Sequence, residues 1–476
     1  MLSRSTIIIL LSALVLTFSH TSCKKEQILT SGGELRFSTD TLTFDTVFTA
    51  YASYTDWIKI FNPQNRKVTV SSVRLTNPNS YFSLNVNGIE GNAVSDIEVA
   101  ANDSFYVFAT VNIDPTNANN PFIICDTLVA TLNGKDFSIP LIAYGQNAYY
   151  IDGNVDGHIK TETWKTDKPY VIVHSGLVDS GHVLTIPAGC KVYMNADSRL
   201  YVQGSLHVEG TKDNPVIFQG GRLDRKYFGY EDYPGEWGGI YFFRYSFDNK
   251  INHALIKNGG NTPGAGYPAA ITLEPDLVIG DTQLVLRNTK IQNSIGYGIL
   301  SIGGTLKAEN CLINTSGAQC LAMVQGGEYE INNCDFITYT TDKISHTKEP
   351  SFAALNYLDI GNNQYVAGPL NCVMRNCVVW GSIEEEIVFD KVDDYPYNMR
   401  MENCLIRKKE AMPSYITHLN TIINQDPKFT DVEKWDFRPL EGSPLINAGT
   451  GNGINIPYDI DDKPRTGAID IGCYEY

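Results

Sequence analysis

Six short phrases in the second half of the chain share one order of polar and apolar positions. Asn310-Cys311-Leu312-Ile313, Asn333-Cys334-Asp335-Phe336, Asn376-Cys377-Val378-Val379 and Asn403-Cys404-Leu405-Ile406 are four copies. Asn288-Thr289-Lys290-Ile291 and His253-Ala254-Leu255-Ile256 repeat it with the cysteine replaced. The steps between successive starts are 35, 22, 23, 43 and 27 residues. A step of 22 or 23 fits one coil of a parallel β-solenoid, and 43 fits two. Residues two apart on a strand share a face, so the small residue and the large apolar one both point inward. The leading Asn belongs at the corner, because Asn tolerates left-handed backbone and can bond its neighbours. The Asn-Cys pairs could be read as a metal or redox centre. They recur at coil spacing without a His partner, so a ladder of small core side chains is the expected role.

Earlier in the chain the pattern changes to plain alternation. Leu42–Phe48, Trp57–Phe61, Val68–Leu75, Phe82–Val86, Phe105–Ile113, Thr127–Leu132 and Phe137–Ala143 alternate apolar and polar residues between turn signals. Seven short strands in this span predict an immunoglobulin-like sandwich. The motif order is Asp45-Thr46-Val47-Phe48, Ile58-Lys59-Ile60-Phe61-Asn62-Pro63, Val68-Thr69-Val70, then Ala100-Ala101-Asn102-Asp103-Ser104-Phe105 and Ile139-Pro140-Leu141-Ile142. It resembles the bacterial relatives of the Hydin and abnormal-spindle immunoglobulin-like domains. That resemblance implies a spacer or adhesion module with no catalytic set.

The solenoid opens at Leu184-Thr185-Ile186-Pro187-Ala188-Gly189 and continues through Leu200-Tyr201-Val202-Gln203-Gly204 and Trp237-Gly238-Gly239-Ile240. These phrases resemble the first coils of bacterial right-handed parallel β-helix proteins. The stretch 341–369 breaks the rhythm and predicts an inserted loop or short helix. The end reads Asp426-Pro427-Lys428-Phe429, Ser443-Pro444-Leu445-Ile446-Asn447-Ala448-Gly449, Pro464-Arg465 and Asp470-Ile471-Gly472-Cys473-Tyr474. It resembles the terminal region of the choice-of-anchor Q domain of surface-associated β-helix proteins. Its Asp and Arg residues are expected to fold a cap over the last open coil. The fold class is thus all-β: residues 1–22 a leader, 23–34 a tether, 35–148 the sandwich, 149–425 a right-handed parallel β-helix and 426–476 the capping segment.

Arg4 precedes the apolar run Ile7 to Leu16, and Ser19-His20-Thr21-Ser22-Cys23-Lys24-Lys25-Glu26 follows. A charged start, a short apolar core and small residues form a secretory signal rather than a membrane span. The Cys after small residues resembles a bacterial lipoprotein signal of the Bacteroidota type, with His20 where that family usually has an aliphatic residue. The resemblance implies acylation of Cys23, attachment to the bacterial membrane as an outer-membrane lipoprotein, and a periplasmic or cell-surface location.

Composition narrows the function. A net charge of −16 without a sustained basic cluster excludes nucleic acid as a partner. The ten cysteines show no CxxC spacing and no zinc pattern, so no metal site is assigned. Glu384-Glu385-Glu386 with Asp390, Asp393 and Asp394 is the densest acidic stretch. It reads as a solvated loop, and as a site it would suit calcium. The candidate ligand-binding loop is 221–235, with Arg222, Asp224, Arg225, Tyr227, Tyr230 and Tyr233, and Trp237 just after. Aromatic rings stack on sugar faces, and Arg and Asp bond hydroxyls. The same rings could instead pack the loop onto the solenoid. No pair of Asp residues recurs on adjacent coils, so no catalytic residue is assigned. The expected role is a non-catalytic, lipid-anchored envelope protein binding a glycan or another surface macromolecule. A polysaccharide lyase or glycoside hydrolase, and a purely structural component, are the alternatives.

Overall fold

The computed structural model describes residues 27–49, 53–114, 122–196, 198–229, 232–261, 267–276 and 281–476. Cys23 and the leader lie outside them. The chain forms two units, Met1–Asn147 and Ala148–Tyr476.

The first unit is a sandwich of two five-stranded sheets. One runs Arg36–Phe37, Asp56–Phe61, Ser104–Val111, Phe82–Val86, Ile89–Glu90 in spatial order. The other runs Leu42–Phe48, Lys135–Gln146, Phe122–Leu132, Val68–Leu75, Ala93–Val99. Among the described strands of this unit, only the pairing of Leu42–Phe48 with Lys135–Gln146 is parallel. The alternation in sequence becomes a core of Phe44, Ile58, Ile60, Phe82 and Val107 between the sheets.

The second unit is a solenoid with three parallel walls. The first has eleven strands, from Tyr149–Asp152 to Ile422–Ile423. The second has nine, from His158–Ile159 to Ile387–Asp390, and the third has ten, from Glu162–Thr163 to Ile416–Leu419. The chain visits the walls in rotation until the last coil, which skips the second wall between Leu405–Ile406 and Ile416–Leu419, so each coil buries its inner face against the next.

The repeated phrase marks the corner leading into the first wall. His253, Asn288, Asn310, Asn333, Asn376 and Asn403 hold φ between 46° and 54°. Their side chains bond from coil to coil, Asn310 to Asn288 and Asn376 to Asn333, each at 3.2 Å. The small column is wholly interior, and it also donates. The thiols of Cys311, Cys334, Cys377 and Cys404 point at the carbonyl two residues earlier, at 3.2–3.4 Å. Thr289 makes the same bond through its hydroxyl at 2.7 Å. Each of these carbonyls also accepts the backbone N–H of the corner residue one coil earlier, at 2.9–3.1 Å, so the thiol or hydroxyl is its second donor. All nine described cysteines are free thiols, and only Cys125 is exposed.

Two features depart from expectation. The interruption at 341–369 holds an antiparallel hairpin, Tyr357–Gly361 with Gln364–Ala367, rather than a helix. Asn362 and Asn363 both take positive φ at its tip, as a tight hairpin turn requires. The closing segment packs along the outer face of the first wall instead of folding only over the last coil. Leu312, Ile337, Val378, Trp380 and Leu405 point outward there and are covered by Phe437, Leu445, Ile460, Ile471 and Tyr474. The Asn column fastens it: Asn310 donates to the Tyr458 carbonyl at 2.6 Å, Asn376 to Thr450 at 2.9 Å and Asn403 to Ala448 at 2.8 Å.

Asp335 is the polar member of that covered stripe. Burial pushes its carboxyl up to about 7, although the Cys473 thiol and amide donate to it. The folded chain therefore keeps a proton that the unfolded chain releases above 3.8. This contribution to stability is complete below that value and is lost as pH rises to about 7. Asp335→Asn should remove the slope. Its stability relative to the native chain, measured by urea unfolding, should rise by ~2–4 kcal/mol across this window. A parallel pH profile would contradict the assignment.

Candidate functional site

The loop 221–235 leaves the first wall after Val216–Gly220 and enters the second at Ile240–Phe242. It begins with a short 3-10 turn, Leu223–Phe228. Arg222 grips the buried Asp224 through two parallel bonds of 2.8 and 2.7 Å. Arg225 meets Glu236 at 2.5 Å, but its Nε–H is not aimed at Oε1, so charge rather than a hydrogen bond holds that contact. The guanidinium of Arg225 also lies 4.2 Å from the centre of the Tyr233 ring. Burial pushes the Glu236 carboxyl up to about 7, against the pull of Arg225 and Arg222. Asp232 takes the Lys257 ammonium at 3.0 Å.

These contacts staple the loop to itself and to the solenoid. Of the expected ligand-binding residues, the structure buries Asp224, its carboxylate taken up by Arg222, and Trp237. The Trp237 ring lies wholly inside the solenoid core, and its Nε1–H donates to the Lys257 carbonyl at 2.9 Å. A ring so placed offers no face to a ligand; it anchors the loop's exit. Arg222, Asp224, Arg225 and Tyr233 do come together, and Tyr233 keeps 39% of its surface exposed. Tyr230 lies outside the described residues, as does the side chain of Tyr227. The other interruption reaches the same place: Lys343 stands 6.0 Å from the Tyr233 ring. A cleft of about 400 Å³ opens between Asp232, Asn293, Asp342, Lys343 and Trp435.

The acidic stretch disperses. Glu384 pairs with Lys409 at 2.8 Å, while Glu385 binds Lys408 and two backbone amides. Asp390 and Asp394 accept from the hydroxyls of Tyr357 and Tyr365 at 2.6 and 2.7 Å. No group of carboxylates, His and Cys suited to a metal occurs among the described residues. Glu386 faces inward, where His346, the Ser351 hydroxyl and two amides surround it at 2.7–3.1 Å. The Ser351 hydroxyl donates to the glutamate rather than to the histidine, and the whole cluster is buried. It ties 341–351 to the solenoid and has no nucleophile–base geometry. Sequence reading missed it, because its members are 35 and 40 residues apart.

A trough of about 1010 Å³ runs along the third wall. Its floor is the outward side of Thr305–Glu309, Gly327–Asn332, Leu370–Arg375, Tyr397–Glu402 and Ile416–Leu419. Strand register builds columns across the coils. Thr305, Glu328, Asn371 and Asn398 form one, and Lys307, Glu330, Val373, Arg400 and Thr417 the next. The cations in and beside the floor are all held by carboxylates, while Glu328 and Asp281 line it without an ion pair among the described residues. Lys307 reaches Glu309 at 3.1 Å and Glu330 at 3.4 Å, Arg375 reaches Glu402 at 3.2 Å, and Arg400 also binds Glu402. Amides and hydroxyls remain on the open surface. Tyr415 stands on the trough with Lys391 over its ring at 5.3 Å, and Tyr397 packs edge-on against it.

No family model matches the chain, and no curated protein matches it. Among solved structures it is similar to a family 123 glycoside hydrolase from Clostridium perfringens, described for glycolipid glycan hydrolysis, at 12% identity and TM-score 0.17, over 23% of this chain and 25% of that one. It is similar to the ASH/PapD-like domain 7 of human CEP192 at 10% identity and TM-score 0.18, over 27% of this chain and 98% of that one. It is also similar to Dex49A from Penicillium minioluteum at 10% identity and TM-score 0.23, over 78% of this chain and 74% of that one. TM-scores of this size leave function to be read from the chain's own side chains.

Tyr233 and Trp237, four residues apart at the exit of the loop, should respond differently to truncation. Trp237→Ala should cost ~3–5 kcal/mol in urea unfolding, because it empties a core position. Tyr233→Ala should stay within ~0.5 kcal/mol. Equal effects would place Trp237 outside the core.

Proposed function

We propose that this chain is a lipid-anchored, non-catalytic cell-envelope protein that binds a neutral glycan along the third wall of its solenoid. The trough carries the reading. Lys307, Arg375 and Arg400 are each paired with carboxylates, and Thr305, Asn371, Asn398 and Thr417 beside them present hydroxyls and amides, which suits a hydroxyl-rich neutral polymer. Parallel strands repeat every ~4.8 Å, so successive coils offer the same kind of contact along an extended chain. Tyr415 supplies an aromatic face at the trough.

The non-catalytic part rests on protonation. Glycoside hydrolysis needs a carboxylic acid that keeps its proton near the working pH. The two carboxyls raised to about 7, Glu236 and Asp335, stand outside the trough, one under loop 221–235 and one sealed beneath the closing segment. Attachment to the membrane rests on the sequence from Arg4 to Lys25 alone, with Cys23 as the acylated residue.

Affinity electrophoresis through neutral polysaccharides, dextran among them, should retard the protein. Tyr415→Ala with Asn398→Ala should weaken the retardation about tenfold, or ~1.4 kcal/mol. Retardation unaffected by this pair, or release of reducing ends from the polymer, would overturn the reading. Cys23→Ser should move the protein from the membrane fraction to the soluble fraction of expressing cells. Retention in the membrane would defeat the anchor.

A further inference from the structure

An antiparallel sheet with one face on a core ordinarily turns polar side chains to water on the other. The sheet of the sandwich containing Asp56–Phe61 and Ser104–Val111 does not. Its inner positions, Ile58, Ile60, Phe105 and Val107, are buried as expected. Its outer positions include Trp57 at 47%, Phe61 at 37%, Tyr106 at 40% and Phe108 at 38% exposure. Register makes them one patch, because Trp57 lies opposite Phe108 and Lys59 opposite Tyr106. The rings touch: Trp57 meets Tyr106 edge-on at 5.3 Å, and Tyr106 stacks on Phe108 at 5.8 Å. From Trp57 to Phe61 the strand extends ~13 Å. Contiguous exposed apolar surface of this kind marks a binding face.

The charge at its centre is positive. The Lys59 ammonium lies 4.7 Å from the Tyr106 ring centre and 6.0 Å from that of Trp57, with no carboxylate on it among the described residues. Nearby acids are engaged or distant. Glu34 is paired with Arg36 at 3.0 Å, and the Asp103 carboxylate accepts from the Ser104 amide at 2.8 Å. Glu90 is three strands away from Lys59, ~14 Å. Asn85 continues the row beyond Phe108 as a polar edge.

We propose that this face binds a saccharide carrying an anionic group. The rings take the apolar C–H faces of the sugar, Lys59 takes the carboxylate or phosphate, and Asn85 is placed for a hydroxyl. An ammonium already seated on aromatic faces pairs with an incoming anion without losing its ring contacts. The surface is separate from the trough and differs from it in charge, so either can fail without the other.

The test uses the full chain made soluble by Cys23→Ser, in affinity electrophoresis against polygalacturonate, phosphomannan and dextran. Retardation by polygalacturonate or phosphomannan is expected, and which of the two acts identifies the anionic group. Trp57→Ala with Tyr106→Ala should weaken it at least tenfold. Lys59→Gln, which keeps the rings, should weaken it several-fold and flatten its dependence on salt. The trough variant Tyr415→Ala should leave it unchanged. The proposal is overturned if neither acidic polymer retards the chain, if Lys59→Gln binds as the native protein does, or if the aromatic pair matters only for dextran. It is equally overturned if sedimentation shows self-association that the Trp57 and Tyr106 substitutions abolish.

Discussion

Left-handed backbone at the corner of the six repeated phrases is the constraint on which that part of the solenoid depends. A non-glycine residue at φ near +50° is disfavoured by sterics, and Asn is among the few that tolerate it. At Asn310, Asn333, Asn376 and Asn403 the carbonyl just before the corner accepts a backbone N–H from the preceding coil, and the following cysteine adds its thiol as a second donor. Thr289 does the same with a hydroxyl. The column is therefore a set of hydrogen-bond donors small enough for the core, and this explains why a small residue alone does not describe it. Deep burial holds Cys334 and Cys377 far from the thiolate form, which is the opposite of what metal or redox chemistry would need.

The Asn amides have a second task, because they also reach outward to the closing segment. That segment covers an apolar stripe on the first wall and leaves the third wall open. The division of labour follows from which side chains point outward. Where they are Leu, Val, Ile and Trp, the chain must bring its own cover. Where they are Thr, Asn, Lys and Glu in register, the wall can face water and present a regular polar surface. The sandwich follows neither pattern, since its outer sheet face is aromatic around a single lysine.

Loop 221–235 shows how composition alone misleads. A run of Arg, Asp and Tyr reads as a binding loop, yet Arg222, Asp224, Arg225 and Glu236 spend their charges on one another. Trp237 spends its ring on the core. What stays outside is Tyr233, beside the cleft where both interruptions of the repeat converge.

Local chemistry determined the all-β class, the corner conformation of each Asn and the inward columns, because these follow from neighbours two to four residues apart, and the recurrence of the phrase at 22 or 23 residues set the coil spacing. The outward stripe of Leu312, Val378 and Leu405 was also written in the repeat, as the apolar third position of its phrase. Its meaning needed the partner segment from 426–476, brought alongside by folding. The trough, the Glu386 cluster and the aromatic patch were decided only by tertiary structure. Each joins side chains from different coils or strands through parallel or antiparallel register. Register is a property of the packed sheet, and no single stretch of chain contains it.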